Sequence, residues 1–189
     1  MRDLSSLADE DLLCLSSGGD EEAFTALYRR RQGRLYRFTL QMTGEAALAE
    51  EVVQEVFLEV IRARGRFDAA RGSVASWMFG IARNLVLRRL EQEGKYAHVE
   101  ESDETGIETA ESSPLEDLTR AEGLKNLRQA VLALPPAYRE TVVLCDLQEL
   151  SYDDAAAALG CPVGTIRSRL NRGRAMLAER LRAKAVRQS

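Results

Sequence analysis

The chain has 189 residues, of which 45% are hydrophobic, 30% charged and 6% aromatic, and it carries a formal net charge of −4 with 13 glycines and 4 prolines. This length suits one medium domain or two small ones, and the modest Pro and Gly content beside abundant charge excludes collagenous, mucin-like and wholly disordered chain. No apolar run approaches the ~20 residues of a membrane helix, and the opening MRDLSSLADEDLL is acidic where a secretory signal is basic, so a cytoplasmic protein without a membrane span is expected.

Helical signals run along the whole chain. Asp9 is expected to cap a short helix that stops at Ser16, Ser17, Gly18 and Gly19, and Asp20 a longer one reaching Thr43 and Gly44 through Phe24, Leu27, Tyr28, Leu35 and Phe38. From Glu45 to Ala63, the residues Ala49, Val52, Val53, Val56, Phe57 and Val60 follow the i, i+3, i+4, i+7 rule of an amphipathic helix. A turn at Gly65, Arg66, Phe67 and Asp68, with Gly72 beyond it, precedes a helix from about Ser73 to about Glu93 whose core face is expected to be Trp77, Ile81 and Leu85. Residues 94–112, GKYAHVEESDETGIETAES, lose all periodicity and are acidic, which predicts a flexible linker. Ser113, Pro114, Leu115 and Glu116 form a capping box for a helix to Leu134, and Pro135 and Pro136 end it. A helix from Ala137 to about Gln148 should follow. Ser151 then caps a short helix, with Asp154 reciprocating; Gly160 closes it, and Pro162 helps open a last helix from Val163 to about Arg182. With no strand alternation over five residues and no internal repeat, the expected class is all-α: two helical domains, 1–95 and 113–189, joined by an acidic linker at 96–112.

The chemistry of enzymes is hard to find in this sequence. Cys14, Cys145 and Cys161 lack Cys-x-x-Cys spacing, a lone His98 completes neither a metal site nor a catalytic triad, and no Gly-rich phosphate loop appears. No metal, no cofactor and no enzymatic activity are therefore expected. Cys145, among Val142, Val143 and Leu147, reads as a small buried hydrophobe, and nothing beside Cys14 or Cys161 lowers a thiol pKa.

Charge, by contrast, is strongly segregated. Residues 62–95 carry 8 basic and 3 acidic side chains and residues 162–189 carry 8 and 1, whereas 96–122 carry 1 and 9. Two basic blocks flanking an acidic middle suit nucleic-acid contact at two separated places; plain solvated faces are the bland alternative.

The second basic block coincides with the clearest structural motif. A short helix over 152–159, the turn Gly160, Cys161, Pro162, and the helix from Val163 make a helix-turn-helix. Turning 100° per residue puts Ile166, Leu170, Gly173 and Leu177 on an inward stripe. Gly164, Ser168, Asn171, Arg172 and Ala175 then face outward, with Arg167 beside them and Arg174 on the flank. Arginine offers paired donors to guanine or phosphate, while Asn and Ser serve bases or backbone. A helical hairpin with a solvated basic face is the alternative.

The run LPPAYRETVVLCDLQELSYDDAAAALGCPVGTIRSRLNRGRAML resembles the C-terminal DNA-binding domain of extracytoplasmic-function (ECF) sigma factors. DEEAFTALYRRRQGRLYRFTLQMTG, AEEVVQEVFLEVI and ARGSVASWMFGIARN resemble that family's N-terminal domain, in the right order, so nearly the whole chain is covered. Asp154 and Ala155 stand where the family often has Glu and Ile, and Glu51 where aspartate is frequent.

The resemblance implies roles for particular residues. On the helix at 45–63, Glu51, Gln54, Glu55 and Leu58 lie opposite the apolar stripe, and the family uses this surface to dock core RNA polymerase; an acidic solvent face with a stray leucine is the plain alternative. In the first basic block, Phe67 or Phe79 is expected to stack on an unpaired base while Arg71, Arg83, Arg88 and Arg89 attract phosphates. Asn84 matches the family position that helps read the minus-10 element, although surface polarity explains it nearly as well. Arg167, Ser168, Asn171, Arg172 and Arg174 are expected to contact the duplex minus-35 element. The implied function is promoter-specific transcription initiation with core RNA polymerase, on single-stranded minus-10 and duplex minus-35 DNA, with an anti-sigma factor as a further partner. A sigma-like decoy that binds an anti-sigma protein, and a dimeric helix-turn-helix repressor, are the rivals.

Overall fold

The computed structural model describes residues 4–63, 65–92 and 118–187, and all regular structure among them is helical. The expected linker, its His98 and the capping box at 113–116 lie outside the described residues. Four helices come before that gap: α1 (Asp9–Ser17), α2 (Glu21–Thr43), α3 (Ala46–Arg62) and α4 (Val74–Gln92). Four come after it: α5 (Leu118–Leu132), α6 (Pro136–Val142), α7 (Tyr152–Leu159) and α8 (Val163–Arg187).

Local chemistry sets most boundaries. The Asp20 carboxylate accepts from the Ala23 amide at 2.9 Å and so caps α2, which ends where Gly44 takes the left-handed conformation at φ 77°. Asp9 departs from its expected role. Ala8 is the capping position of α1, and Asp9, buried in the first turn, instead holds Arg30 at 2.8 Å and Arg31 from α2. Ser151 caps α7 by accepting from the Asp154 amide at 3.0 Å, and Gly160 closes it at φ 63°.

Two expectations about helix form are corrected. The helix drawn from Ala137 to Gln148 is α6 followed by a π-helical turn over Val143–Leu147, capped by Gln148 and followed by Glu149 at φ 54°. The wider turn lets the Gln148 carbonyl accept from Arg34 of α2, a contact far along the chain that no local pattern announces. On α4 the buried apolar set is Val74, Met78, Phe79, Ala82, Leu85, Val86 and Leu90, so Trp77 and Ile81 sit at its margin and only half-buried. Helices α2 and α3 both pack on α4, which widens its buried face beyond the single i+4 row.

One apolar cluster runs through both helical regions, from Leu27, Phe38, Val56 and Phe79 to Val143, Leu144, Ala155 and Ile166. Leu134, Val142 and Leu170 form a smaller cluster beneath α8. Gly173 is what allows α8 to approach α6: a Cβ there would meet Val142 Cγ2 at 2.7 Å. Gly173→Leu is expected to lower stability to urea by about 1–3 kcal/mol through overpacking, despite its better helix propensity. At Gly123, where a Cβ meets nothing within 4 Å, alanine should instead gain up to about 1 kcal/mol. Equal effects at the two glycines would contradict this packing account.

Candidate nucleic-acid interface

The helix-turn-helix is formed by α7, Gly160 and α8. Ile166, Leu170 and Gly173 are buried and Leu177 half-buried, which turns Gly164, Arg167, Ser168, Asn171, Arg172 and Ala175 to solvent together. This is the inward and outward division expected from helical periodicity. Ser168 donates to the Thr165 carbonyl at 3.0 Å, which leaves its oxygen able to accept. Arg174 is exposed too, but its guanidinium grips Asp146 at 3.0 and 2.5 Å, and that hydrogen bond together with the aspartate charge raises its pKa further. A phosphate that meets Arg174 therefore finds its charge already paired by Asp146.

The first basic block is more divided. Arg71, Asn84 and Arg88 are exposed, and Asn84 and Arg88 stand one turn apart on α4. Asp68 caps the short 3₁₀ turn Ala69–Arg71 by accepting from Ala70 at 3.0 Å, which fixes Arg71 on the loop ahead of α4. Phe67 is half-buried with its ring 5.6 Å from that of Trp77. Phe79 cannot stack on a base: it is 1% exposed and packs edge-on against Phe38, ring centres 5.4 Å apart. Arg83 is not free for phosphate in this arrangement either, because its Nε donates to Glu140 of α6 at 2.8 Å, and that carboxylate is buried. Arg89 is likewise engaged, by Glu51 at 2.7 Å and Glu55 at 3.1 Å. Hydrogen bonding to Glu55 and the charge of Glu51 raise its pKa.

On α3, Glu51, Gln54 and Leu58 are exposed and Glu55 half-buried, with Leu58 49% accessible on an otherwise polar face. Beside them lies a groove that the sequence did not single out, lined by Tyr28, Arg29, Gln32 and Tyr36 of α2 with Glu50 and Gln54 of α3. Its signal in the sequence is the i, i+4, i+8 spacing of Tyr28, Gln32 and Tyr36, which places the three on one face of α2. No group of three or more His, Cys, Asp or Glu that could hold a metal occurs among the described residues. Burial and the charge of Asp146 push the Cys145 thiol up to about 11, and burial also raises Cys161, so neither is an activated thiolate.

Fold and site define a helical protein with a helix-turn-helix whose recognition helix shows a basic, hydrogen-bonding face, coupled to a second helical region with its own basic loop. Comparison with known proteins narrows this. Residues 27–96 match the family model for Sigma-70 region 2 and residues 124–177 that for Sigma-70, region 4. The chain is 30% identical to the ECF RNA polymerase sigma factor SigW of Bacillus subtilis, over 87% of this chain and 91% of that one. It is 32% identical to the ECF RNA polymerase sigma factor SigE of Mycolicibacterium smegmatis, over 86% of this chain but only 64% of that longer protein. Among solved structures it is similar to CnrH in complex with the cytosolic domain of CnrY, at 25% identity and a TM-score of 0.72, over 94% and 99% of the two chains. It is also similar to the sigma factor RpoE of Bartonella quintana in complex with the anti-sigma factor NepR, at 25% identity and a TM-score of 0.64, over 84% and 96%. The chain belongs to the ECF family of RNA polymerase sigma factors.

Proposed function

We propose that this sigma factor docks core RNA polymerase on Glu51, Gln54, Glu55 and Leu58, reads the duplex minus-35 element with Arg167, Ser168, Asn171 and Arg172, and holds the melted minus-10 strand with Phe67, Arg71, Asn84 and Arg88. Arg174 adds a phosphate contact once it leaves Asp146, and Arg83 another once it leaves Glu140. The two DNA-contacting units are residues 1–95 and 113–189, with 96–112 connecting them. The observation that carries this reading is the joint exposure of Arg167, Ser168, Asn171 and Arg172 on the face of α8 opposite buried Ile166 and Leu170. Its arginine, serine and asparagine side chains are the donor set that reads base edges in a major groove.

The protein acts by binding and not as an enzyme: contacts to unstacked bases offset the few kcal/mol, in round terms, that each extruded base costs. Its place of action is the cytoplasm, with the polymerase. No helix among the described residues is long and apolar enough to cross a membrane. An anti-sigma factor is a fitting partner, as the NepR complex of the Bartonella quintana protein illustrates.

Run-off transcription with purified core polymerase tests the reading, since a decoy or a repressor starts no new transcripts. Arg172→Ala should weaken upstream recognition by ~1–3 kcal/mol and relax preference at one base position, whereas Arg174→Ala should weaken binding with preference intact. Selection from a random DNA pool separates the two; an unchanged preference in the Arg172 variant removes that residue from the base-reading set.

A further inference from the structure

The loop that enters α4 carries Arg71, and it is braced at both ends. At one end the Phe67 ring lies 5.6 Å from the Trp77 ring of α4. At the other, Gly72 takes φ 142° and ψ −178°, backbone that L side chains rarely adopt, and a Cβ there would meet Ser76 Oγ at 2.6 Å. Ser73 follows at once and accepts from the Ser76 amide at 3.2 Å, while Ser76 Oγ donates back to the Ser73 carbonyl at 2.8 Å. The amide of buried Val74 donates to the Glu10 carboxylate of α1 at 3.3 Å, which fastens the chain where α4 begins. Between these anchors Asp68, Ala69, Ala70 and Arg71 are all exposed, so packing does not set their shape.

Asp68 sets it instead. Its carboxylate accepts from the Ala70 amide at 3.0 Å and its carbonyl accepts from the Arg71 amide at 3.0 Å, so two hydrogen bonds of the 3₁₀ turn end on this one residue. A single 3₁₀ turn has poor hydrogen-bond geometry and no further turns to support it, which makes the cap matter. Neither Asp68 nor Arg71 forms a salt bridge with any described residue, so the carboxylate is not there to neutralise the arginine. By charge alone, an aspartate between Arg66 and Arg71 on a strand-binding loop repels phosphate. That repulsion acts between exposed groups and is screened over about 8 Å at physiological salt.

We propose that Asp68 is a positioning residue for minus-10 recognition: an acidic side chain that strengthens the binding of a polyanion, because its cap holds the turn that presents Arg71 to a strand phosphate. The proposal rests on the assignment of Arg71 to the melted strand. Asp68 itself touches no DNA. It raises the fraction of molecules whose turn is already formed when the strand arrives, and affinity falls in proportion when that fraction falls. Charge and cap therefore act with opposite sign at one residue. Asparagine separates them, since it keeps the accepting oxygen and the capping ability of aspartate and drops the charge.

The test uses holoenzyme reconstituted from purified core polymerase and the full chain, with a fluorescein-labelled single strand that the parent holoenzyme selects from a random pool. Asp68→Ala should bind that strand about fivefold more weakly, although it removes a negative charge. Asp68→Asn should bind as the parent does, or up to about twofold more tightly. Arg71→Ala should weaken binding at least as much as Asp68→Ala, and combining the two should add no further loss. Asp68 belongs to neither apolar cluster, so circular dichroism and affinity for minus-35 duplex should match the parent in every variant. Tighter binding in both Asp68 variants would leave charge as the residue's only role and overturn the proposal. Equal weakening in both would assign the carboxylate charge to a direct contact, and a loss from Asp68→Ala that persists beside Arg71→Ala would show that it acts elsewhere; each overturns it. Asp68→Ala at the parent's affinity, with Arg71→Ala weakened, would overturn it and leave Arg71 on the strand. Arg71→Ala at full affinity would instead remove Arg71 from the strand-binding set, and the proposal would fall with that reading. Loss of duplex binding in Asp68→Ala would assign the residue to folding, and that too overturns it.

Discussion

A chain carrying Gln54→Lys and Leu58→Lys is expected to keep its helical circular-dichroism spectrum and to bind core RNA polymerase at least about 30-fold more weakly, the loss typical of an interface hot spot. Both side chains are exposed on α3, so lysine there disturbs no packing and fits a helix well. An accessible leucine ringed by polar residues is suited to fill a partner's apolar pocket, and a lysine in that pocket is left desolvated and unpaired. Glu51 and Glu55 make less clean probes, because each also holds Arg89 and its removal disturbs α4. A core pull-down with titration on the same folded sample decides the matter; capture at the parent's strength would move the docking surface elsewhere.

Phe38→Ala should cost about 3–5 kcal/mol of stability in urea unfolding, the range for deleting a buried phenyl ring. Phe38 is 0% exposed in the middle of α2, and its contact with Phe79 joins α2 to α4. Those helices carry the rest of the first region, so the cavity has little freedom to collapse. A loss below about 1 kcal/mol would show that the neighbouring side chains refill the space. Phe67→Ala provides the contrast: the ring is half-buried at the edge of the core beside Trp77, so stability should fall far less while single-strand binding weakens.

The helices and the division of α8 into inward and outward faces were legible because both depend on local rules. Asp20, Gly44, Ser151 and Gly160 each announce a helix end through chemistry within three or four residues, and Ile166, Leu170 and Gly173 announce a face through spacing alone. What stayed hidden depends on partners distant in sequence. Phe79 and Trp77 are two residues apart on α4, and nothing local says that Phe38 waits for the first while the second is left at the margin. Arg83 looked like a phosphate ligand because a basic side chain on a basic stretch always does, and Glu140 lies 57 residues away. The π-helical turn at Val143–Leu147 was invisible for a similar reason: its sequence, VLCDL, is ordinary helix former, and the extra residue in the turn serves the contact between Gln148 and Arg34.

The apolar cluster that runs from Leu12 and Phe38 to Leu144 and Ile166 also governs how the chain comes apart. With side chains of both helical regions packed in one body, neither can lose its interior without stripping neighbours from the other. In the closed arrangement heat should therefore melt the protein in one calorimetric transition, with equal calorimetric and van't Hoff enthalpies. A binding partner that pries the regions apart would split that transition in two, so the shape of a melting curve reads out which arrangement the molecule is in.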